Sequence, residues 1–145
     1  KGTILTSSDG TTWTSRGDGT SEDLYEVTYG NGLFVIVGYG TILTSSDGIT
    51  WTSSTSSESL YGVTYGNGLF VTVSWNGTIF TSSDGISWTS RSSGTTETLY
   101  GVTYGNGLFV TVGENGTILT SSDGITWTSR TSGTSNRLNG MTYKE

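Results

Sequence analysis

Gly116-Thr-Ile-Leu-Thr-Ser-Ser-Asp-Gly-Ile-Thr-Trp127 is written into this chain four times with few changes, its aspartate falling at Asp9, Asp47, Asp84 and Asp123. The spacings between these aspartates are 38, 37 and 39 residues. A second phrase, Tyr-Gly-Asn-Gly-Leu-Phe-Val, alternates with it at 29–35, 65–71 and 104–110. A period of this length marks an array, in which one supersecondary unit buries its faces only against its neighbours.

Within one period the strand signals come in a fixed order. Leu99–Tyr104 reads as a strand, and Gly105-Asn106-Gly107 as a tight turn, because Asn-Gly tolerates positive φ at both central positions of a two-residue hairpin. Leu108–Val112 is the returning strand, Gly113–Gly116 the next turn, and Thr117–Ser121 a third strand. Asp123-Gly124 turns the chain into a fourth, Thr126–Ser129, and a polar segment leads to the next period. The second strands, Leu33–Val37, Leu69–Val73 and Leu108–Val112, are apolar on both alternations apart from Thr72 and Thr111, so both of their faces are expected to be covered.

Composition agrees. Ala, Gln and Pro are absent and Leu is scarce, which removes the good helix formers, while Thr, Val, Ile and aromatic residues favour a pleated backbone. The 17 aromatic residues keep fixed phases of the repeat, which a disordered Ser/Thr/Gly linker would not require. The expectation is an all-β chain, a β-propeller of four-stranded antiparallel blades of about 38 residues with about four blade equivalents. A β-solenoid is the rival, but its coils are shorter and lack paired hairpin turns. The period divides the chain into one repeat domain, 1–145: a part-blade 1–23, blades 24–59, 60–98 and 99–137, and a part-blade 138–145.

The Ser-Ser-Asp-Gly-Ile-Thr-Trp phrase resembles the Asp-box of sialidase-like and photosystem-assembly-factor-like β-propellers, in a form one residue shorter between Asp and Trp. The resemblance covers the whole chain, and in that family the box lies on the turn between third and fourth strands. It implies structural roles for Asp9, Trp13, Asp47, Trp51, Asp84, Trp88, Asp123 and Trp127. Physical chemistry points the same way: the carboxylates can accept turn N–H groups and the indoles can pack between blades with their N–H satisfied at the edge.

Catalysis is not expected. Sialidases use converging arginines, whereas Arg16, Arg91 and Arg130 occupy one phase of three different repeats and would be spread around a ring. The chain has no His and no Cys, which removes Ser-His and Cys-His nucleophiles and the usual zinc ligands. Paired carboxylates for glycoside hydrolysis would have to come from Asp18, Glu22, Asp23, Glu26, Glu58, Glu97 and Glu114, most of them in polar loops. No cofactor and no metal is expected.

A net charge of −6, with basic residues only at Lys1, Arg16, Arg91, Arg130, Arg137 and Lys144, argues against nucleic acid as a partner. No apolar run of about 20 residues spans a membrane. The chain begins in mid-repeat, so an upstream segment is compatible with it, and an extracellular or cell-surface setting is favoured.

Comparing the repeats separates framework from variation. The Asn-Gly and Asp turns scarcely change; the turns after the second strand and the loops between blades do, and they lie on the opposite face. That face gathers Tyr39, Trp75, Asn76, Glu114 and Asn115, with Tyr25, Tyr61, Tyr100 and Asn139 at the starts of the first strands. Aromatic faces beside amides and a carboxylate suit a glycan or a protein hot spot, with Trp75 the leading candidate. Asn76-Gly-Thr78 and Asn115-Gly-Thr117 also fit the glycan-acceptor pattern. Met141–Tyr143 is expected to be a lone first strand, the fifteenth of the chain, without its Leu-Phe-Val partner. Near-identical repeats at both ends lead us to expect self-association, a four-bladed monomer with a defective closing blade, or part of a longer array. The resulting expectation is a non-catalytic binding or scaffold module. A self-assembling structural or adhesive repeat is the alternative, and a glycosidase is the remote one.

Overall fold

The computed structural model describes residues 1–144. Among them lie 14 strands. A hairpin of β1 (Ile4–Thr6) and β2 (Thr14–Arg16) comes first. Three four-stranded antiparallel sheets then follow in chain order: β3 (Leu24–Gly30), β4 (Leu33–Gly38), β5 (Thr41–Ser45) and β6 (Thr52–Thr55); β7 (Leu60–Gly66), β8 (Leu69–Ser74), β9 (Ile79–Ser82) and β10 (Thr89–Arg91); β11 (Leu99–Gly105), β12 (Leu108–Gly113), β13 (Ile118–Ser121) and β14 (Thr128–Arg130). The sheets are successive blades of a partial β-propeller, with β3 beside β7 and β7 beside β11.

The first hairpin turn of each blade follows from Asn-Gly chemistry. Asn31, Asn67 and Asn106 sit at φ 49–50°, and the glycine after each at 75–76°, the left-handed pair that a twisted two-residue hairpin needs.

The second hairpin is closed by the aspartate phrase. In the first blade Asp47 Oδ1 accepts the N–H groups of Ile49 and Thr50 at 2.8 Å each and the Ser45 hydroxyl at 3.0 Å. Ser45 Oγ in turn accepts Gly48 N–H at 2.8 Å. Asp9, Asp84 and Asp123 make the same set with their own turns. Backbone donors aimed at the charged form hold the carboxyls of Asp47, Asp84 and Asp123 down at about 2, and that of Asp9 lower still.

Blade packing explains why the second strands are apolar throughout. One face of β4, with Val35 and Val37, meets Leu60, Val63 and Phe70 of the next blade, with Leu33, Tyr65 and Trp88 packed around them. Val71, Val73 and Ile79 repeat this with Leu99, Val102 and Phe109, flanked by Leu69, Tyr104 and Trp127. The backward face of each blade is thus a Tyr–Phe–Trp row: ring centroids are 4.6 Å apart for Tyr65–Phe70 and 6.5 Å for Phe70–Trp88. Gly66, at the end of β7, is where the ring of Tyr104 crosses; any side chain there would occupy the ring's own position. The exceptions Thr72 and Thr111 are buried without cost to the ladder because their hydroxyls donate to Gly62 O and Gly101 O at 2.7 and 2.8 Å.

Three expectations are corrected. Met141–Tyr143 forms no strand: Tyr143 crosses Gly105 as Tyr104 crosses Gly66, so the segment follows a first strand's path, but no neighbouring strand offers it a ladder. Trp13 does not pack between blades and is 58% exposed. The indole N–H groups of Trp51 and Trp127 donate to Gly48 O and Gly124 O at 3.3 and 3.1 Å, whereas that of Trp88 is buried without an acceptor.

Candidate functional site

The face opposite the Asp turns is built on three equivalent positions. Tyr39 N–H donates to Asp23 O, Trp75 N–H to Ser59 O and Glu114 N–H to Thr98 O, at 2.9, 3.2 and 2.9 Å. The same backbone clamp therefore carries a tyrosine, a tryptophan and a glutamate in successive blades. Thr98 Oγ1 donates to Trp75 O at 2.6 Å and holds that turn from the other side. The clamp is constant, while the side chains and the turns that follow it vary, Asn115 alone of the turn asparagines on this face being left-handed at φ 51°.

Tyr25, Tyr61 and Tyr100 are placed by β-bulges. Leu60 pairs with Ser74 and Gly62 with Val73, leaving Tyr61 as the extra residue, and the other two blades repeat this at Tyr25 and Tyr100. A bulge turns its extra side chain out of the pleat. The three rings follow one another at 5.2 and 5.4 Å between centroids. They line a cavity of about 240 Å³ with Glu26, Asn139 and Met141. Glu26 takes the place of Gly62 and Gly101, and its Oε2 accepts Val63 N–H from the next blade at 3.0 Å. Loss of solvent raises its carboxyl pKa, an effect that this bond opposes.

Between the first and second full blades, Tyr39, Tyr61 and Trp75 wall a cleft of about 560 Å³ whose floor is the loop Ser56–Ser59. Tyr39 and Trp75 are more than half exposed. Glu58 lines the same cleft; one of its oxygens, Oε2, is shut away from solvent and no protein donor reaches it.

The equivalent place between the second and third blades is occupied by the chain itself. Tyr100 donates its hydroxyl to Glu114 Oε1 at 2.6 Å, and Asn115 Nδ2 donates to Glu97 Oε2 at 2.9 Å. The Arg137 guanidinium lies 5.0 Å from the centre of the Tyr100 ring. The contact with Glu114 and the loss of solvent raise the Tyr100 pKa, partly offset by Arg137.

The five binding candidates read from the sequence therefore divide. Tyr39 and Trp75 share a cleft. Glu114 and Asn115 are engaged with Tyr100 and Glu97, one blade further on. Asn76 is spent on its own turn, its Oδ1 accepting the Ser74 hydroxyl and Thr78 N–H at 2.7 and 3.1 Å. Glu58, which joins the aromatic pair, is missed as a binding residue by the sequence, where it looks like one more loop carboxylate.

Among the described residues no group of three or more Asp, Glu, His or Cys side chains could hold a metal ion. No helix among them is long and apolar enough to cross a membrane.

No protein-family model matches the chain, and no curated protein matches it. Among solved structures the chain is similar to YCF48 bound to D1 peptide, at 18% identity and a TM-score of 0.70 over 87% of this chain and 45% of that one. It is also similar to YCF48 from Cyanidioschyzon merolae, at 20% identity and a TM-score of 0.69 over 96% of this chain and 52% of that one. The chain spans about half the length of these structures. At such identity the likeness establishes the β-propeller fold.

Proposed function

We propose that this chain is a non-catalytic, Asp-box-type propeller module that binds a protein segment across its loop face, in the cleft of Tyr39, Tyr61 and Trp75. The carrying observation is that cleft: Tyr39 and Trp75 on clamped backbone and Tyr61 on a bulge leave an open, part-apolar space between two blades. Rigid aromatic residues around a concavity are the usual source of binding energy at protein hot spots. One of the solved structures of similar fold is of YCF48 bound to D1 peptide. Peptide and glycan arrays probed with wild type and with Trp75→Ala test the reading. Peptide binding weakened by about tenfold or more in the variant supports it, as loss of an aromatic anchor should. Peptide binding equal in the two proteins, or retention of glycans alone, removes it.

Self-association is a second reading, favoured by two outer faces that match. Val27 and Tyr29 are more than half exposed on the backward face of the first full blade, and Leu108 is exposed on the forward face of the third. Inside the chain these same faces close on one another, as Leu33, Val35 and Val37 do on Val63, Tyr65 and Phe70. Sedimentation over a wide concentration range, with Val27→Lys as control, tests this. A larger particle that the substitution dissociates supports it, and a strict monomer rejects it.

A further inference from the structure

We propose that the cleft between the first and second blades takes an organic cation, the guanidinium or ammonium group of an arginine or lysine side chain on a basic peptide. The proposal rests on the binding reading above and adds to it the chemistry of the group that is bound.

Two places in this chain have the same construction and differ in how they are filled. Between the second and third blades, the Tyr100 hydroxyl donates to Glu114 and the groups around it are engaged within the chain. Asn115 gives Glu97 an N–H donor, and Arg137 sets its positive charge over the face of Tyr100. Between the first and second blades, Glu58 stands where Glu97 stands, Tyr61 where Tyr100 stands, and Trp75 where Glu114 stands. Here no donor reaches Glu58 Oε2 and no cation covers Tyr61.

The difference has an identifiable cause. Asn76 is the counterpart of Asn115, but residue 74 is serine where residue 113 is glycine. The Ser74 hydroxyl takes Asn76 Oδ1 at 2.7 Å and folds that side chain into its own turn. Gly113 has no hydroxyl, and Asn115, left-handed at φ 51°, sends its amide to Glu97 instead. Similarly, Thr98 stands in the second blade where Arg137 stands in the third; it carries no charge, and its hydroxyl is spent on Trp75 O at 2.6 Å. The chain has withdrawn both internal partners from the cleft and has walled it with Tyr39 and Trp75 instead.

Glu58 lines the cleft without a salt-bridge partner among the described residues, and a cation seated on the rings would balance its charge across a short distance. Tryptophan and tyrosine faces attract the same cations through their ring quadrupoles, tryptophan most strongly. A neutral sugar would satisfy the rings and leave the carboxylate charge unbalanced. An anionic partner would meet Glu58 and a chain of net charge −6. Arg137 over Tyr100 is the internal precedent for the cation.

The test is an NMR titration of the full chain, following the Trp75 indole N–H and the amides of 56–59. The probes are acetyl-Gly-Arg-Gly-amide, its neutral citrulline counterpart, and a maltooligosaccharide. The arginine peptide is expected to shift these signals with an affinity at least about fivefold above that of the citrulline peptide. Glu58→Gln, which keeps the shape of the side chain, should erase most of that preference, and Trp75→Ala should abolish the response. Equal binding of the two peptides, or a preference unchanged in Glu58→Gln, overturns the cation proposal and leaves the peptide-binding reading in place. A response to the sugar alone, or to none of the probes, overturns the cation proposal and counts against the binding reading as well.

Discussion

The second and third full blades press a tyrosine, a phenylalanine and a tryptophan onto the valines of the blade before them; the first full blade carries the same three residues with no such surface in front of it. Phe70 and Phe109 are fully buried, whereas Phe34 is only partly so and Tyr29 is 58% exposed. The rows are otherwise alike, with Tyr29–Phe34 and Phe34–Trp51 centroids at 4.5 and 6.3 Å. The repeat thus specifies an interface, and its energy is realised only when a neighbour supplies the other half. In the first blade Ile4 of the β1–β2 hairpin, with Ile36 and Leu43, covers part of that row around Trp51.

The largest expected effect follows directly. Phe70→Ala should cost about 3–5 kcal/mol, the usual range for removing a buried aromatic side chain, measured by urea denaturation. Phe34→Ala, with less surface to lose, should cost about half of that or less. Equal costs would mean that the first blade's row is covered in solution, which would break the comparison and point to a second copy lying there.

A smaller effect tests the inner edge. Gly66→Ala places a methyl group in the ring of Tyr104, and Gly105→Ala does the same to Tyr143. Overpacking of this kind costs about 1–3 kcal/mol where the neighbour cannot move. Tyr104 belongs to a paired strand and should yield little, while Tyr143 has no ladder to hold it. Gly66→Ala should therefore lower thermal stability more than Gly105→Ala, and the reverse order would show that 138–143 is held as firmly as a strand.

What the sequence discloses follows the same division. The turns were legible because their chemistry is local: Asn-Gly fixes two left-handed residues, and an aspartate two and three residues before backbone donors caps them. Blade packing was legible because apolar residues on both alternations of β4, β8 and β12 imply two covered faces. The bulges were hidden, since Leu-Tyr-Gly-Val alternates like any regular strand and the extra residue shows only in the register. Glu58 was hidden for a subtler reason. Its isolation depends on whether Ser74 or Gly113 precedes the asparagine of a turn in another part of the blade. The strand expected at 141–143 failed because strand formation needs a partner's hydrogen bonds as well as suitable residues.

Acid should act on the constant face of the blades before it acts on the variable one. The carboxyls of Asp47, Asp84 and Asp123 are held at about 2 in the fold, below an ordinary value of 3.8. Their contribution is complete above the ordinary value and is lost as pH falls from about 4 towards 2. Glu26 acts with the opposite sign, because its raised pKa means that its charged form opposes folding and protonation relieves that. Circular dichroism melts should thus show stability declining below about pH 4, with the decline shallower when the three aspartates are changed to asparagine. A slope unchanged by those substitutions would show that the turn carboxylates are not what acid breaks.

The smallest expected change in stability separates the two faces most sharply. Trp75 is exposed, its backbone is clamped by Ser59 O and Thr98 Oγ1, and neither bond uses its indole. Trp75→Ala should therefore alter folding stability by no more than about 0.5 kcal/mol, the common range for surface positions, although a large aromatic side chain is removed. Trp127, just before β14 of the next blade, packs against the cluster that holds Val71, Val73 and Phe109, so Trp127→Ala should cost several times more. A change that small would mean that the clamped backbone presents an indole the fold itself does not need, as the binding proposal requires. If Trp75→Ala instead unfolded the chain as readily as Trp127→Ala, the indole would be part of the packing, and the cleft it walls would lose its claim to a ligand.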